Sequence, residues 1–130
     1  MLLPVTLTAA AAAAILAIWL SIRVGQVRGS EKVSIGDGGN DKVIRRMRAH
    51  ANFVENTPFV LILIAGIEMT GKGGNWLAYV AAIYMLGRIA HGLGMDDGRF
   101  GKGRMIGTLV TMLTLLGLAI VATLIPLQVM

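Results

Sequence analysis

Arg45-Arg46-Met47-Arg48-Ala49-His50-Ala51-Asn52-Phe53-Val54-Glu55-Asn56-Thr57-Pro58 runs without a break into the apolar stretch Phe59 to Ile67. That apolar part is only about nine residues long, short of the roughly twenty that a membrane-spanning helix requires. If the segment spans, its charged half lies at membrane depth. Ionisable side chains there cost about 2.5–3.5 kcal/mol each on insertion scales unless they face protein or a water-filled cavity, so by default they mark a functional site. At about 100° per residue, Arg45, Arg48, Asn52 and Glu55 fall on one face and His50 points well away from it. One helix is thus predicted to carry a cation, amide and carboxylate stripe.

Upstream of this stretch, Met1 to Ile22 contains no charged residue and is long enough to span, with the alanine run Ala9 to Ala14 favouring helix and close helix contact. It lacks a basic n-region and its apolar run is longer than that of a secretory signal, so it reads as a retained helix. Arg23 to Lys42 is polar and glycine-rich, and Asp41 is the expected N-cap of the second helix. Pro58 removes a backbone donor inside that helix and predicts a kink, and Gly71-Lys72-Gly73-Gly74 is the stop. A third apolar segment follows, with Arg88 and His91 deep at its far end. After the polar link Asp96 to Gly103, Arg104 opens a last segment without further charge. The expected helices run over about 2–25, 42–70, 75–95 and 104–128. The fold class is an all-α, four-helix transmembrane bundle occupying 1–130 as a single domain.

Composition agrees. Hydrophobic residues make up 55% of the 130-residue chain, and the mean hydropathy is +0.72; ordinary soluble domains are about 45–50% apolar. The net charge of +5 sits in two short connections rather than on a tail or exposed face, which argues against nucleic acid. By the positive-inside rule those two connections are cytoplasmic and both termini lie on the opposite side. The helix-two stripe, Arg28, Arg88 and Arg104 then converge at one membrane face. Cysteine is absent, so any thiol chemistry uses a thiol brought by a substrate.

Several arginines converging at one mouth repel one another unless an anion sits among them. Glu55 supplies one negative charge, which leaves room for a polyanionic small ligand. Glutathione fits the inventory: two carboxylates for arginines, an ammonium for Glu55, peptide groups for Asn52, and a thiol that an arginine holds as thiolate. Charge complementarity alone does not name this tripeptide over other anions.

The run Arg48-Ala49-His50-Ala51-Asn52-Phe53-Val54-Glu55-Asn56-Thr57-Pro58 resembles the R-A-H-x-N-x-x-E-x-x-P pattern of the MAPEG family, the membrane-associated proteins in eicosanoid and glutathione metabolism. Gly25-Gln26-Val27-Arg28, Gly87-Arg88-Ile89-Ala90-His91 and the arginine opening helix four agree with it. The resemblance covers nearly the whole chain and implies a homotrimer binding glutathione between neighbouring subunits near the cytoplasmic side. It further implies that Arg48, Asn52 and Glu55 contact glutathione on helix two, that His50 contacts the glycyl end, and that Arg28 and Arg88 are carboxylate or network arginines. Arg104 resembles the thiolate-stabilising arginine, with Arg99 a competitor for that place. Met95 stands where many relatives have a tyrosine, and Ala51 replaces a basic residue of the prostaglandin-synthase branch.

The expected function is therefore a membrane-embedded glutathione transferase or peroxidase of bacterial type, in the inner membrane, acting on apolar electrophiles or lipid hydroperoxides. The alternative is a non-catalytic lipid-binding or scaffold protein of the same architecture. No metal is expected, since two separated histidines without a carboxylate cluster are a weak metal signal. Arg45 and Arg46 read as headgroup or topology residues, and His91 as structural. Glu68 reads as a solvated helix-end residue. Asp96 and Asp97 read as solvated loop acids or partners of Arg99 and Lys102, and Thr108 and Thr111 as bonding back to their own helix.

Overall fold

The polar connections set the helix boundaries in the computed structural model, which describes residues 1–97 and 101–130. Helix α1 spans Pro4–Glu31, α2 Asp41–Met69, α3 Asn75–Gly94 and α4 Lys102–Leu124, with one 3₁₀ turn, Met95–Asp97, closing α3. Among the described residues there is no strand, and all four helices are long and apolar enough to cross a membrane. Arg99 lies outside the described residues, as does the side chain of Asp97.

Helix α1 runs about six residues past its expected end because Gly25 and Gly29 lie within it as ordinary helical residues. It closes at Lys32, whose φ of 58° is left-handed and whose amide bonds to the Arg28 carbonyl. The cap of α2 is Asn40, not Asp41: the Asn40 side chain accepts from the Val43 amide at 3.2 Å. Asp41 instead sits in the first turn, where its negative charge suits the helix N-terminus and pairs with Arg45 at 2.6 Å. The helix continues through Pro58, which is exposed.

Glu68 is not a solvated helix-end residue. Its carboxylate accepts from the amides of Val5 and Thr6 at 2.8 and 3.1 Å, capping α1 from the last turn of α2. The physical reason is that Leu3 and Pro4 offer no side-chain cap, so the first α1 donors would otherwise go unmet beside an apolar surface. Glu68→Ala is expected to destabilise the protein by about 1–2 kcal/mol, the usual cost of losing a helix cap; thermal unfolding in detergent checks this.

Helices α1 with α2, and α3 with α4, form the closest-packed pairs. The α3–α4 crossing is built on small residues. A methyl group at Gly94 would overlap the backbone nitrogen of Arg104, and one at Gly107 would lie 2.6 Å from the Gly87 carbonyl oxygen. The buried centre contains Phe53, Val60, Ile64, Leu77, Tyr84 and Leu118. Large apolar side chains such as Ile18, Ile62, Ile83, Leu109 and Leu116 face outward, the reverse of a soluble bundle and the distribution a lipid solvent favours.

Candidate functional site

Arg88 is the deepest charge in the protein, on α3 about 20 Å from Asn75 at about 1.5 Å per residue. It is 2% exposed. Its guanidinium donates to the Thr111 hydroxyl at 2.8 Å and to the Asn52 side-chain oxygen at 2.7 Å, and its Nε–H has no partner among the described residues. Both acceptors are neutral, and among the described residues no carboxylate pairs with it. One turn earlier on α3, buried Tyr84 shares a hydrogen bond of 2.9 Å with Thr57 of α2. This polar core ties α2, α3 and α4 together. It also corrects the reading of Thr111, which faces Arg88 rather than bonding back to its own helix, because an interior guanidinium needs acceptors from every helix around it.

Arg48 and Glu55 lie on the outer surface of α2, 57% and 58% exposed, 3.8 Å apart. Glu55 is about 21 Å from Met69 at about 1.5 Å per residue, well inside a hydrocarbon core about 30 Å thick. A carboxylate on the exposed face of a spanning helix at that depth calls for a protein or ligand partner. Asn52 belongs to the same stripe in sequence but sits about 40° round the helix and reaches inward to Arg88. Asn56 donates to the Asn52 carbonyl at 2.8 Å and approaches its side-chain oxygen at 3.4 Å, which holds the amide in place.

His50 faces the other way. It is half-buried and lines a groove of about 380 Å³ between α1 and α2 with Ser21, Val24, Gly25, Arg28, Met47 and Ala51. Arg28 is held there by the Gly36 carbonyl, 3.2 Å from its Nε, and by the Met47 sulfur at 3.7 Å. Arg104 is exposed in the first turn of α4. His91 is buried against Gly107, its Nδ1 without a partner among the described residues. The expected residues therefore fall into four places in the chain: the Arg28–His50 groove, the Arg48–Glu55 pair, the Asn52–Arg88–Thr111 core and the exposed Arg104. Positions 48 and 50 differ by about 200° around α2, so the two side chains leave opposite sides of the helix.

Sequence reasoning missed a further cluster. Asp96 is neither a solvated loop acid nor a partner of Lys102: its carboxylate pairs with Arg23 of α1 and with Arg46 of α2, the latter through contacts of 3.3 and 3.4 Å. Arg46, expected at the headgroups, turns inward to make this bond and also donates to the Arg23 carbonyl at 2.9 Å. No local signal marks it, because its partners lie 73 and 50 positions earlier, in α1 and α2. Among the described residues no group of three histidines and carboxylates could hold a metal ion.

A chain with four helices long and apolar enough to span, and with a buried arginine among them, is a multi-pass membrane protein. It belongs to the MAPEG family, whose pattern it matches over residues 6–124. It is similar to the inner membrane protein YecN of Escherichia coli K12, 32% identical over 88 residues that cover 67% of this chain and 66% of that protein. The same figures hold for YecN of Escherichia coli O6:H1 strain CFT073. The match thus spans just under two thirds of the length of these curated relatives.

Proposed function

We propose that this protein is a membrane-embedded, glutathione-dependent transferase or peroxidase of the inner membrane, working as a homotrimer with its site on the cytoplasmic side. The observation that carries this reading is the buried Arg88 guanidinium, whose described hydrogen-bond partners are neutral oxygens. An interior cation without a counter-charge favours an anion nearby, and Asn52 links it to the α2 face that bears Arg48 and Glu55. Family membership supports glutathione as that anion. The angular separation of Arg48 from His50 supports a site shared by two protomers, with Arg48, Asn52, Glu55 and Arg88 from one and Arg28, His50 from its neighbour.

In this reading the glutathione carboxylates take charge-assisted hydrogen bonds from Arg28, Arg48 and Arg88, and its ammonium pairs with Glu55. Arg104 holds the sulfur as thiolate. The S–H bond breaks and its proton passes to water, because arginine stays protonated and cannot accept it. The thiolate then forms a C–S bond to an electrophile from the bilayer as the leaving group departs. Alternatively it attacks a hydroperoxide oxygen, releasing the alcohol and leaving a sulfenic acid that a second glutathione reduces to the disulfide and water.

The test is a glutathione titration of the detergent-purified protein, followed by calorimetry and by ultraviolet thiolate absorbance. A saturable thiolate signal is the expected result. Saturable binding without thiolate would instead fit a binding or scaffold protein, and no binding at all would overturn the glutathione reading. Glu55→Ala is expected to weaken glutathione binding at least tenfold, about 1.4 kcal/mol, while the thiolate fraction at saturation stays as in the wild type. Calorimetry and absorbance read these two quantities separately.

A further inference from the structure

We propose that Asp96 is a positioning residue that fixes the end of α3 against α1 and α2, and with it the first turn of α4 and the arginine that activates the thiol. The role in thiolate formation rests on the function proposed above; the clamp itself does not.

The carboxylate stands where three elements meet. Arg23 reaches it from α1 and Arg46 from α2, while Asp96 itself belongs to the turn that ends α3. Arg46 additionally bonds the Arg23 carbonyl at 2.9 Å, so the two arginines are tied to each other as well as to the acid. The Arg23 guanidinium lies over the Trp19 ring, 5.1 Å from its centroid, and Trp19 packs on Gly92, where an added methyl would come within 3.0 Å of the indole. The side chains of Arg23, Arg46 and Asp96 are 14, 24 and 32% exposed, so the pairing is partly shielded and more rigid than a surface ion pair. Two residues before Asp96, Gly94 receives the backbone of Arg104 so closely that no methyl fits. The clamp therefore fixes the end of α3, and the end of α3 fixes the start of α4.

Electrostatics and positioning predict opposite signs here, which makes the proposal testable. If Asp96 acted only as a negative charge, removing it would leave two unneutralised guanidiniums and favour the thiolate. If it acts by placing the activating arginine, removing it disfavours the thiolate.

The full-length protein in detergent, as wild type, Asp96→Asn and Asp96→Glu, would be compared by two measurements. One is amide hydrogen exchange over 95–97 and 101–108. The other is the pH titration of the glutathione thiolate signal at saturation, with the dissociation constant measured alongside.

The expected result for Asp96→Asn is faster exchange in both segments, a thiolate titration moved up by about one unit, which is at most about tenfold in thiolate fraction at neutral pH, and an unchanged dissociation constant. Asp96→Glu, which keeps the charge and the reach to both arginines, should restore most of the signal. An unchanged or higher thiolate fraction in Asp96→Asn overturns the proposal, as does a thiolate loss that only follows weakened binding. A wild type that binds glutathione without thiolate defeats the functional reading and the activating role together. Exchange then still decides the clamp, which falls if Asp96→Asn exchanges like the wild type. Should Asp96→Asn fail to fold, Arg46→Gln removes the α2 side alone and is read by the same outcomes.

Discussion

Arg104→Ala is expected to lower the thiolate fraction of bound glutathione at neutral pH about tenfold or more, with turnover falling in proportion and affinity largely retained. A guanidinium about 4 Å from a thiolate contributes about 1 kcal/mol in a water-like medium and about 4 kcal/mol at the effective dielectric of a protein surface. That is roughly one to three units in the thiol pKa. An unshifted thiol near 8.5 is only a few per cent ionised at neutral pH, so the loss falls directly on the reactive species. Position distinguishes this residue from the binding arginines: Arg104 opens α4, outside the Asn52–Arg88–Thr111 network. Arg104→Lys should restore part of the signal, because a point charge on a flexible stem replaces a planar fork. A thiolate titration in Arg104→Ala that matches the wild type would assign activation to another cation.

Gly94→Ala is expected to have the largest effect on stability. The added methyl overlaps the backbone nitrogen of Arg104, and backbone cannot rotate aside as a flexible side chain can. The helices must part or slide, at a cost of about 1–3 kcal/mol for overpacking and more if α4 loses its seat. Gly117→Ala is the control, since a methyl there meets nothing within 4 Å and gains helix propensity of up to about 1 kcal/mol. Thermal unfolding in detergent should separate the two variants widely. If both unfold like the wild type, the close α3–α4 crossing does not hold the bundle. Gly94→Ala should also lower the thiolate signal in whatever fraction remains folded, because it displaces Arg104.

Much of this architecture could be read from the sequence because a membrane helix is a local property. Apolar runs, free of charge in the first and last segments and broken by Gly71 to Gly74 and by the polar link after Met95, are enough to count four helices. Helix ends were less legible: α1 extends to Glu31 because a left-handed Lys32 stops it, and no residue type announces that conformation. Residues defined by distant partners could not be read at all. Glu68 and Asp96 look like solvated acids until α1 is packed beside them, their partners lying 63 and 73 positions away for Val5 and Arg23. In the candidate site, residue types were legible through the Arg48 to Pro58 pattern, whereas their division around α2 was not. Asn52 shares a sequence stripe with Arg48 and Glu55, yet its amide points to Arg88 because a buried guanidinium outcompetes solvent for that oxygen.

The Asn52–Arg88 hydrogen bond also bears on how the chain enters the bilayer. The most apolar windows of α1 and α4 have mean hydropathies of 2.1 and 2.3, whereas those of α2 and α3 reach only 1.2. The outer two helices can partition into lipid singly. The inner two carry charges that resist it, at about 2.5–3.5 kcal/mol for an arginine at a helix centre. Asn52 of α2 and Thr111 of α4 both accept from the Arg88 guanidinium, so that cost falls once α2 and α4 stand beside α3. The bonds that hold the polar core in the finished protein thereby join the entry of its middle helices into lipid to their packing.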